Sequence, residues 1–457
     1  MTSPPRILLN AFNMNCVGHI NHGLWAHPRD RSSEYNTLEY WTDLARTLER
    51  GLFDGLFIAD IVGVYDVYQD NVDVTLRESI QLPVNDPVVL VPAMAAVTRH
   101  LGFGVTVNLT YEQPYLLARR FSTLDHLTRG RIGWNIVTGY LDSAARAMGF
   151  TEQLEHDHRY DIADEFLEVA YKLWEGSWED GAVRRDRAAR VFAEPREVHP
   201  VRHHGRFFDV DGYHLAEPSL QRTPVLYQAG SSGRGQQFAA RHAECVFISA
   251  PNKEVARSTV NRLREQVRAA GRRPEDVKVF QGISVVPGRT QAEAREKSLE
   301  YRRSASREAG LAHFAASVGI DFSRYGPDEP IDYGGGNAIR SAADTAQRQG
   351  WTRRSLMELF EMGGRYPPIV GDGPAVADEL QSWIDETGVD GFNLSRTVVP
   401  ESYEDFIDIV VPVLQERGLY KTAYEPGSLR RKLLGGSDRL SDRHAGSAYR
   451  HRAARLN

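Results

Sequence analysis

Cysteine is scarce. The chain has two in 457 residues, Cys16 and Cys245, too few for a disulfide framework or a four-thiolate zinc site. No cationic segment followed by an apolar run resembles a targeting signal, so a cytoplasmic protein is expected. The most apolar stretch, residues 87–97, is about half of the roughly 20 residues that a bilayer span needs, and no transmembrane helix is expected. A dominant charge is missing too: 55 basic against 61 acidic side chains leave −6, too weak and too mixed a field to drive binding to nucleic acid or an anionic membrane. The partner to expect is a small molecule. A GxSxG elbow, a GxxxxGK[ST] loop, an HExxH pair and a CxxC pair are all lacking where they should stand, so serine hydrolase, P-loop NTPase and zinc protease readings lose their main support.

What is present is ample core material, 41% hydrophobic residues with 25% charged, arranged in a repeating pattern. Eight short apolar runs end in polar residues or glycine: ILLNAF from Ile7, GLFIAD from Gly55, LGFGVTVNL from Leu101, RIGWNIVTG from Arg131, PVLYQAG from Pro224, ECVFISA from Glu244, VKVFQGISVV from Val277 and VDGFNLSRTV from Val389. They are apolar without strict alternation, as strands covered on both faces should be. Helical spacing falls at 38–50, 88–100, 115–127, 160–174, 235–242, 254–270, 375–386 and 403–416. Eight alternating units predict an α/β fold, a (β/α)8 TIM barrel, with an open doubly wound sheet as the alternative that six or seven units would build.

The spacing is uneven. Extra chain lies at 13–34, 61–86, 139–158, 175–223 and 287–370. In a barrel, loops that follow strands carry the chemistry, so most of this excess is expected to wall and cover one mouth. Residues 175–223 follow a helix and can serve the opposite face or an oligomer contact. The expected organisation is one barrel domain over 1–435, with insertions at about 175–223 and 287–370, and a basic tail over 436–457. From residue 428 to the end there are eight basic and two acidic residues. With a single tyrosine, Tyr449, among them, they read as an arm packed on the body or on a partner subunit, not as a nucleic-acid tail.

Several residues can carry chemistry. In YQAGSSGRGQQF, Ala229, Gly230, Ser231, Ser232 and Gly233 lie between a strand and a helix. Small residues let the backbone approach an anion, and free amides with two hydroxyls supply donors for phosphate oxygens; an ordinary turn and cap would use the same residues. Asp60, Asn108, Asn135 and Thr138 stand in or at the ends of successive strands, where polar groups of a barrel face the mouth and can hold a heterocycle. Near the first strand, Cys16, His19, His22, Trp25 and His27 are close in sequence, but the spacing suits no metal site and a buried free cysteine is more often apolar filler. His156 and His158 precede a helix and are read as surface residues, so no metal is expected.

Longer segments, NAFNMNCVGHINHGLWAHP, LFDGLFIADIVGVYDVYQD, TLDHLTRGRIGWNIVTGYLDSAARAMG, LEHDHRYDIADEFLEVAYKLWEGSWEDGAV, QRTPVLYQAGSSGRGQQFAARHAECVF and DGFNLSRTVVP, appear in order. Together, over roughly residues 7 to 435, they resemble the flavin-dependent monooxygenases of the bacterial-luciferase superfamily. The likeness is to the branch of nitrilotriacetate, dibenzothiophene-sulfone and, above all, long-chain alkane monooxygenases.

The resemblance implies a barrel with insertions, assembled as a homodimer or homotetramer. It implies reduced FMN (FMNH2) supplied by a separate NAD(P)H:flavin reductase, and oxygenation of a small organic substrate by O2 through a flavin C4a-(hydro)peroxide. Carried over by position, Asp60, Asn108, Val137 and Tyr140 would line the isoalloxazine, and Tyr160, Gly230, Ser231 and Ser232 would hold the phosphate. Cys16, Tyr65, Gln81 and His313 would border the substrate cavity with His19 nearby, and Tyr140 and His313 would be proton donors or positioners. One departure stands out: NIVTGY carries Tyr140 where the alkane enzymes have a histidine. A phenol, with a reference pKa of about 10, shuttles protons poorly near neutrality. The implied substrate is therefore a long-chain alkane-like compound or, alternatively, a sulfone, an aminopolycarboxylate or a flavin-like heterocycle. Two readings of other classes are a deazaflavin-dependent reductase, which would work without oxygen, and a noncatalytic flavin-binding protein.

Overall fold

Each of the eight apolar runs forms a strand, and the eight close into a parallel barrel. The computed structural model describes residues 6–230, 232–331, 351–362, 366 and 368–451. In chain order the strands are β1 Leu8–Met14, β2 Gly55–Ala59, β3 Gly102–Asn108, β4 Ile132–Val137, β5 Val183–Asp186, β6 Val191–Ala193, β7 Val201–His204, β8 Asp209–Gly212, β9 Val225–Gln228, β10 Cys245–Ile248, β11 Lys278–Gly288, β12 Pro368–Asp372 and β13 Gly391–Ser395. The barrel runs β1, β2, β3, β4, β9, β10, β11, β13 and back to β1, with every pairing parallel. The closed form is thus the one adopted, and the open sheet is excluded.

Three departures from the sequence pattern have simple causes. β11 is long, so its far half, Ser284–Gly288, carries the extra strand β12, which straddles the end of the 287–370 insertion. The insertion at 175–223 folds into two antiparallel hairpins, β5–β6 and β7–β8. It packs on the outer helix Pro114–Thr128: the Ser122 hydroxyl is 2.9 Å from His214 Nε2, and the Tyr115 hydroxyl donates to the Tyr213 carbonyl. The helix expected over 88–100 ends early, as a 3-10 turn at Val88–Leu90 and a helix at Val91–Ala96.

The barrel interior is filled. Leu8, Phe12, Phe57, Val225, Tyr227, Cys245, Phe247 and Phe280 form one apolar cluster with Leu429 and Leu433. The Phe12 ring lies 5.0 Å from Phe247 and 5.6 Å from Phe57. Each such side chain, fully buried, contributes about 1.5–3 kcal/mol. The two leucines come from the C-terminal helix Leu429–Leu434, which stoppers the end of the barrel where β3 begins. Leu429 packs so tightly on Gly102 that a Cβ there would lie 2.4 Å from Leu429 Cδ1.

At the opposite end a second apolar cluster covers the mouth. It unites Tyr65, Tyr68, Val74 and Ile80 of one insertion, Leu141 and Ala144 of another, and Ala309 to Val318 with Phe322, Leu356 and Phe360 of a third. The expected convergence of long strand-following loops on one face is what the fold shows. No helix among the described residues is long and apolar enough to cross a membrane.

Candidate functional site

The strand ends beneath this cover present a row of polar groups. Asp60 follows β2, half-buried; burial pushes its carboxyl up to about 7, the Ile61 amide works against that, and Asp86 adds to it. Asn108 closes β3; its Oδ1 accepts from the Thr110 amide at 3.0 Å. Its Nδ2 lies where a Cβ of Gly139 would come within 2.5 Å, and Gly139 has φ +69°. Only glycine satisfies both the left-handed backbone and that approach. Val137 ends β4, Asn135 donates to Thr106 Oγ1 at 2.8 Å, and Tyr140 packs against the apolar cover.

The turn after β9 forms a cradle. The Gly230 amide donates to Gln228 Oε1 at 2.7 Å. Gln228 Nε2 donates to the Tyr160 hydroxyl at 3.4 Å, and that hydroxyl is also hydrogen-bonded to the Ser232 side chain. Ser232 caps the helix Gly233–His242, its Oγ accepting from the Gly235 amide at 3.0 Å. A Cβ on Gly230 would lie 2.2 Å from Gln228 Nε2 and 2.9 Å from the Tyr160 oxygen; one on Gly235 would lie 2.7 Å from that oxygen. Bare backbone, hydroxyls and a helix N-terminus meet here, the donor set that suits a phosphate. Ser231, expected among these donors, lies outside the described residues.

Beside the strand ends are the residues expected to border a substrate cavity. The Cys16 thiol donates to the Gly18 carbonyl at 3.1 Å, and burial pushes it up to about 12, so it stays protonated. Arg396 lies behind it, donating to the Cys16 and Val17 carbonyls and to the Tyr40 hydroxyl. The His19 ring meets Phe12 edge-on at 4.6 Å. The Tyr65 hydroxyl donates to Gln81 Oε1 at 2.6 Å. The Tyr65 ring lies 4.8 Å from that of His313, whose Nδ1 is 2.9 Å from Nε2 of His22. Two hydrogen-bonded pairs, Tyr65–Gln81 and His22–His313, thus stand side by side.

The residues expected to act together are therefore at one end of the barrel, Ser231 aside. The sequence did not single out Gln228, Gln153 or Arg159 for this region. Gln228 is readable in hindsight as the last residue of a strand, whereas Gln153 and Arg159 bear no local signal, since a polar residue beside a helix start reads as solvated. His22 had been weighed as a metal ligand; its partner lies 291 residues away, beyond any spacing argument. His156 pairs with neighbouring Asp157 at 2.6 Å and packs its ring 5.2 Å from that of Tyr160, whereas His158 meets the Phe207 ring. Among the described residues, one trio, Glu179, His199 and His451, has potential metal-ligand atoms within 4.8 Å of one another, on the hairpin insertion and the tail.

This geometry fits a phosphorylated flavin: a glycine-lined anion cradle beside strand-end amides under an apolar cover. Comparison with known proteins points the same way. The model of the luciferase-like monooxygenase family matches residues 20–391. Dimethyl-sulfide monooxygenase of Hyphomicrobium sulfonivorans is 50% identical over 97% of this chain and 94% of its own length. Long-chain alkane monooxygenase of Geobacillus thermodenitrificans is 49% identical over 98% of each chain. A solved structure of riboflavin lyase with modified FMN and riboflavin superposes with a TM-score of 0.93 at 36% identity, covering 98% of this chain and 100% of that one.

Proposed function

The chain belongs to the luciferase-like monooxygenase family and is an FMN-dependent monooxygenase, and on that footing we propose that it oxygenates a small, neutral, largely apolar molecule, either an organosulfur compound or an alkane-like chain. It takes its FMN in reduced form from a separate NAD(P)H:flavin reductase and works in the cytoplasm as a homodimer or homotetramer. Bound reduced flavin supplies the electrons with which dioxygen is activated. Asp60, Asn108, Val137 and Tyr140 line the ring, and Tyr160, Gly230, Ser231 and Ser232 hold the phosphate.

The substrate class rests on one observation. Among the described residues, the side expected to hold substrate is built from the hydrogen-bonded pairs Tyr65–Gln81 and His22–His313, a protonated Cys16 and an apolar cover. The nearby cation, Arg396, is spent on carbonyls behind the wall. These groups include no lysine or arginine to offset a polycarboxylate, and an apolar molecule beside them displaces water from few charges. The names of the two relatives, one acting on dimethyl sulfide and one on long-chain alkanes, support the same class. Within the cavity, His313 and Tyr140 hold or position protons at the reacting atom, and Cys16, His19, Tyr65 and Gln81 shape the wall. The cover excludes water that would otherwise divert reduced flavin and oxygen to hydrogen peroxide.

The test is a panel of dimethyl sulfide, n-alkanes, an aromatic sulfone and nitrilotriacetate, incubated with 18O2, FMN, NADH and a flavin reductase. Label in the product of a sulfide or an alkane is the expected result. Label only in the nitrilotriacetate product would overturn the neutral-substrate reading, and label in no product would overturn oxygen transfer to all of these classes.

A further inference from the structure

Among the described buried arginines, Arg159 holds the fewest hydrogen bonds. Arg131 donates to three carbonyls and a hydroxyl beyond its own turn as well as to the Thr128 carbonyl. Arg430 is paired with Glu244, Arg222 with Asp180, and Arg272 donates to two carbonyls. Arg159 is as deeply buried, 2% exposed, yet its one hydrogen bond runs from Nη1 to the Leu154 carbonyl at 2.6 Å; its buried Nε has no partner, as at Arg222 and Arg272, but those two each make two further bonds. No carboxylate forms an ion pair with it among the described residues. Glu155 caps the helix His156–Tyr171 through the His158 amide, and Asp142 accepts from the Gln153 amide. A cation taken out of water in this way requires a counter-charge from somewhere.

The position of Arg159 says which. It precedes Tyr160 on the first turns of that helix, and Tyr160 carries the hydroxyl that closes the glycine cradle. Of the charges acting on that hydroxyl, Arg159 is the strongest, ahead of Arg234. Arg234 is already paired with Asp161 at 3.2 Å and Asp164 at 2.6 Å. The cradle therefore offers neutral donors, and next to Tyr160 stands a guanidinium with no ion pair, on which Glu155 and Asp142 act only at a distance.

We propose that Arg159 is the counter-charge of the flavin phosphate and the main reason the chain distinguishes FMN from unphosphorylated riboflavin. The inference rests on the reading that the Tyr160–Ser232 turn holds the phosphate, and it adds a residue that this reading lacks. A phosphate monoester brings roughly −1.5 to −2 charge units at neutral pH, and hydrogen bonds between ionised partners are about twice as strong as neutral ones. Without phosphate, Arg159 is a cost to the fold; with it, the cost becomes binding energy.

The experiment measures dissociation constants for FMN and riboflavin, by flavin fluorescence, on the wild type and on Arg159→Gln, Arg159→Lys and Arg159→Met. The same titrations are repeated with both flavins reduced anaerobically. Arg159→Gln should weaken FMN about 10- to 100-fold while leaving riboflavin unchanged, and Arg159→Lys should recover part of the loss. Thermal melting supplies a second readout that does not depend on the Gln variant folding. Arg159→Met, free of a buried charge, should melt at or above the wild-type temperature without flavin and gain less from added FMN. An unaltered FMN-to-riboflavin ratio in the variants would overturn the role of Arg159. A wild type that binds both flavins equally would instead overturn the phosphate cradle itself.

Discussion

Asp60 is a carboxyl at the end of a barrel strand, and burial holds its pKa near 7. Because an unfolded aspartate titrates near 4, the folded chain binds this proton more tightly than the unfolded chain does. Asp60 therefore burdens the fold least below about pH 4 and increasingly as the pH rises towards 7, after which the burden is constant. Asp60→Asn should remove that slope. In urea unfolding, the stability of the variant minus that of the wild type is expected to grow between pH 5 and pH 8, and parallel curves would disprove the shift. At this scale the sequence was informative about place: Asp60 and Asn108 stand at strand ends, and Gly230 lies in the turn after β9 beside the Tyr160 hydroxyl. It was silent on partnerships. Nothing in the sequence of Arg159 separates it from the exposed charges around it, and nothing local joins His22 to His313.

The helix Leu429–Leu434 shows what the sequence gets wrong about elements. Its charge count marked the region as a basic arm, and the ion pairs of Arg439 and Arg450 with buried Glu175 and of Arg443 with Asp276 agree with an arm packed on the body. Charge count hides the two leucines that stopper the barrel and the arginine between them. Arg430, 1% exposed, pairs with Glu244 at 2.7 Å and reaches the Thr223 and Pro224 carbonyls at the start of β9. Arg430→Ala leaves a carboxylate buried and unpaired, so it should cost about 3–5 kcal/mol in urea unfolding. Replacing Arg430 by Met and Glu244 by Leu together should cost far less; equal losses would mean that packing, not charge, is the issue. β12 escaped notice for a related reason: five residues at the end of a long insertion have no periodicity of their own, and they become a strand only because β11 is long enough to offer an edge.

Across the whole molecule, the cover over the barrel mouth is an apolar layer drawn from three separate insertions. Its centre is Phe314, stacked on Phe322 at 5.6 Å and packed on Phe360 at 4.7 Å. If the layer exists to keep water from activated oxygen, Phe314→Ala should raise the hydrogen peroxide formed per NADH consumed, in a reductase-coupled assay with substrate present, while costing roughly 3–5 kcal/mol of stability. Unchanged coupling in a folded variant would show that the cover is dispensable for protection.

The barrel was legible in the sequence because its cause is local: a buried parallel strand needs a continuous apolar run, and its helix needs a stripe at 3.6-residue spacing. The small residues of the turn after β9 were legible for the same reason, since close backbone approach requires them wherever the chain goes. Tertiary structure alone decided the rest. Which mouth is stoppered by leucines and which is roofed by insertions, which histidine faces which, and which buried arginine is left with a single hydrogen bond all depend on the packing of the folded chain, much of it between residues tens to hundreds of positions apart. Those contacts are set by the closure of the sheet and by packing of side chains in three dimensions, and neither leaves a periodic trace in the chain.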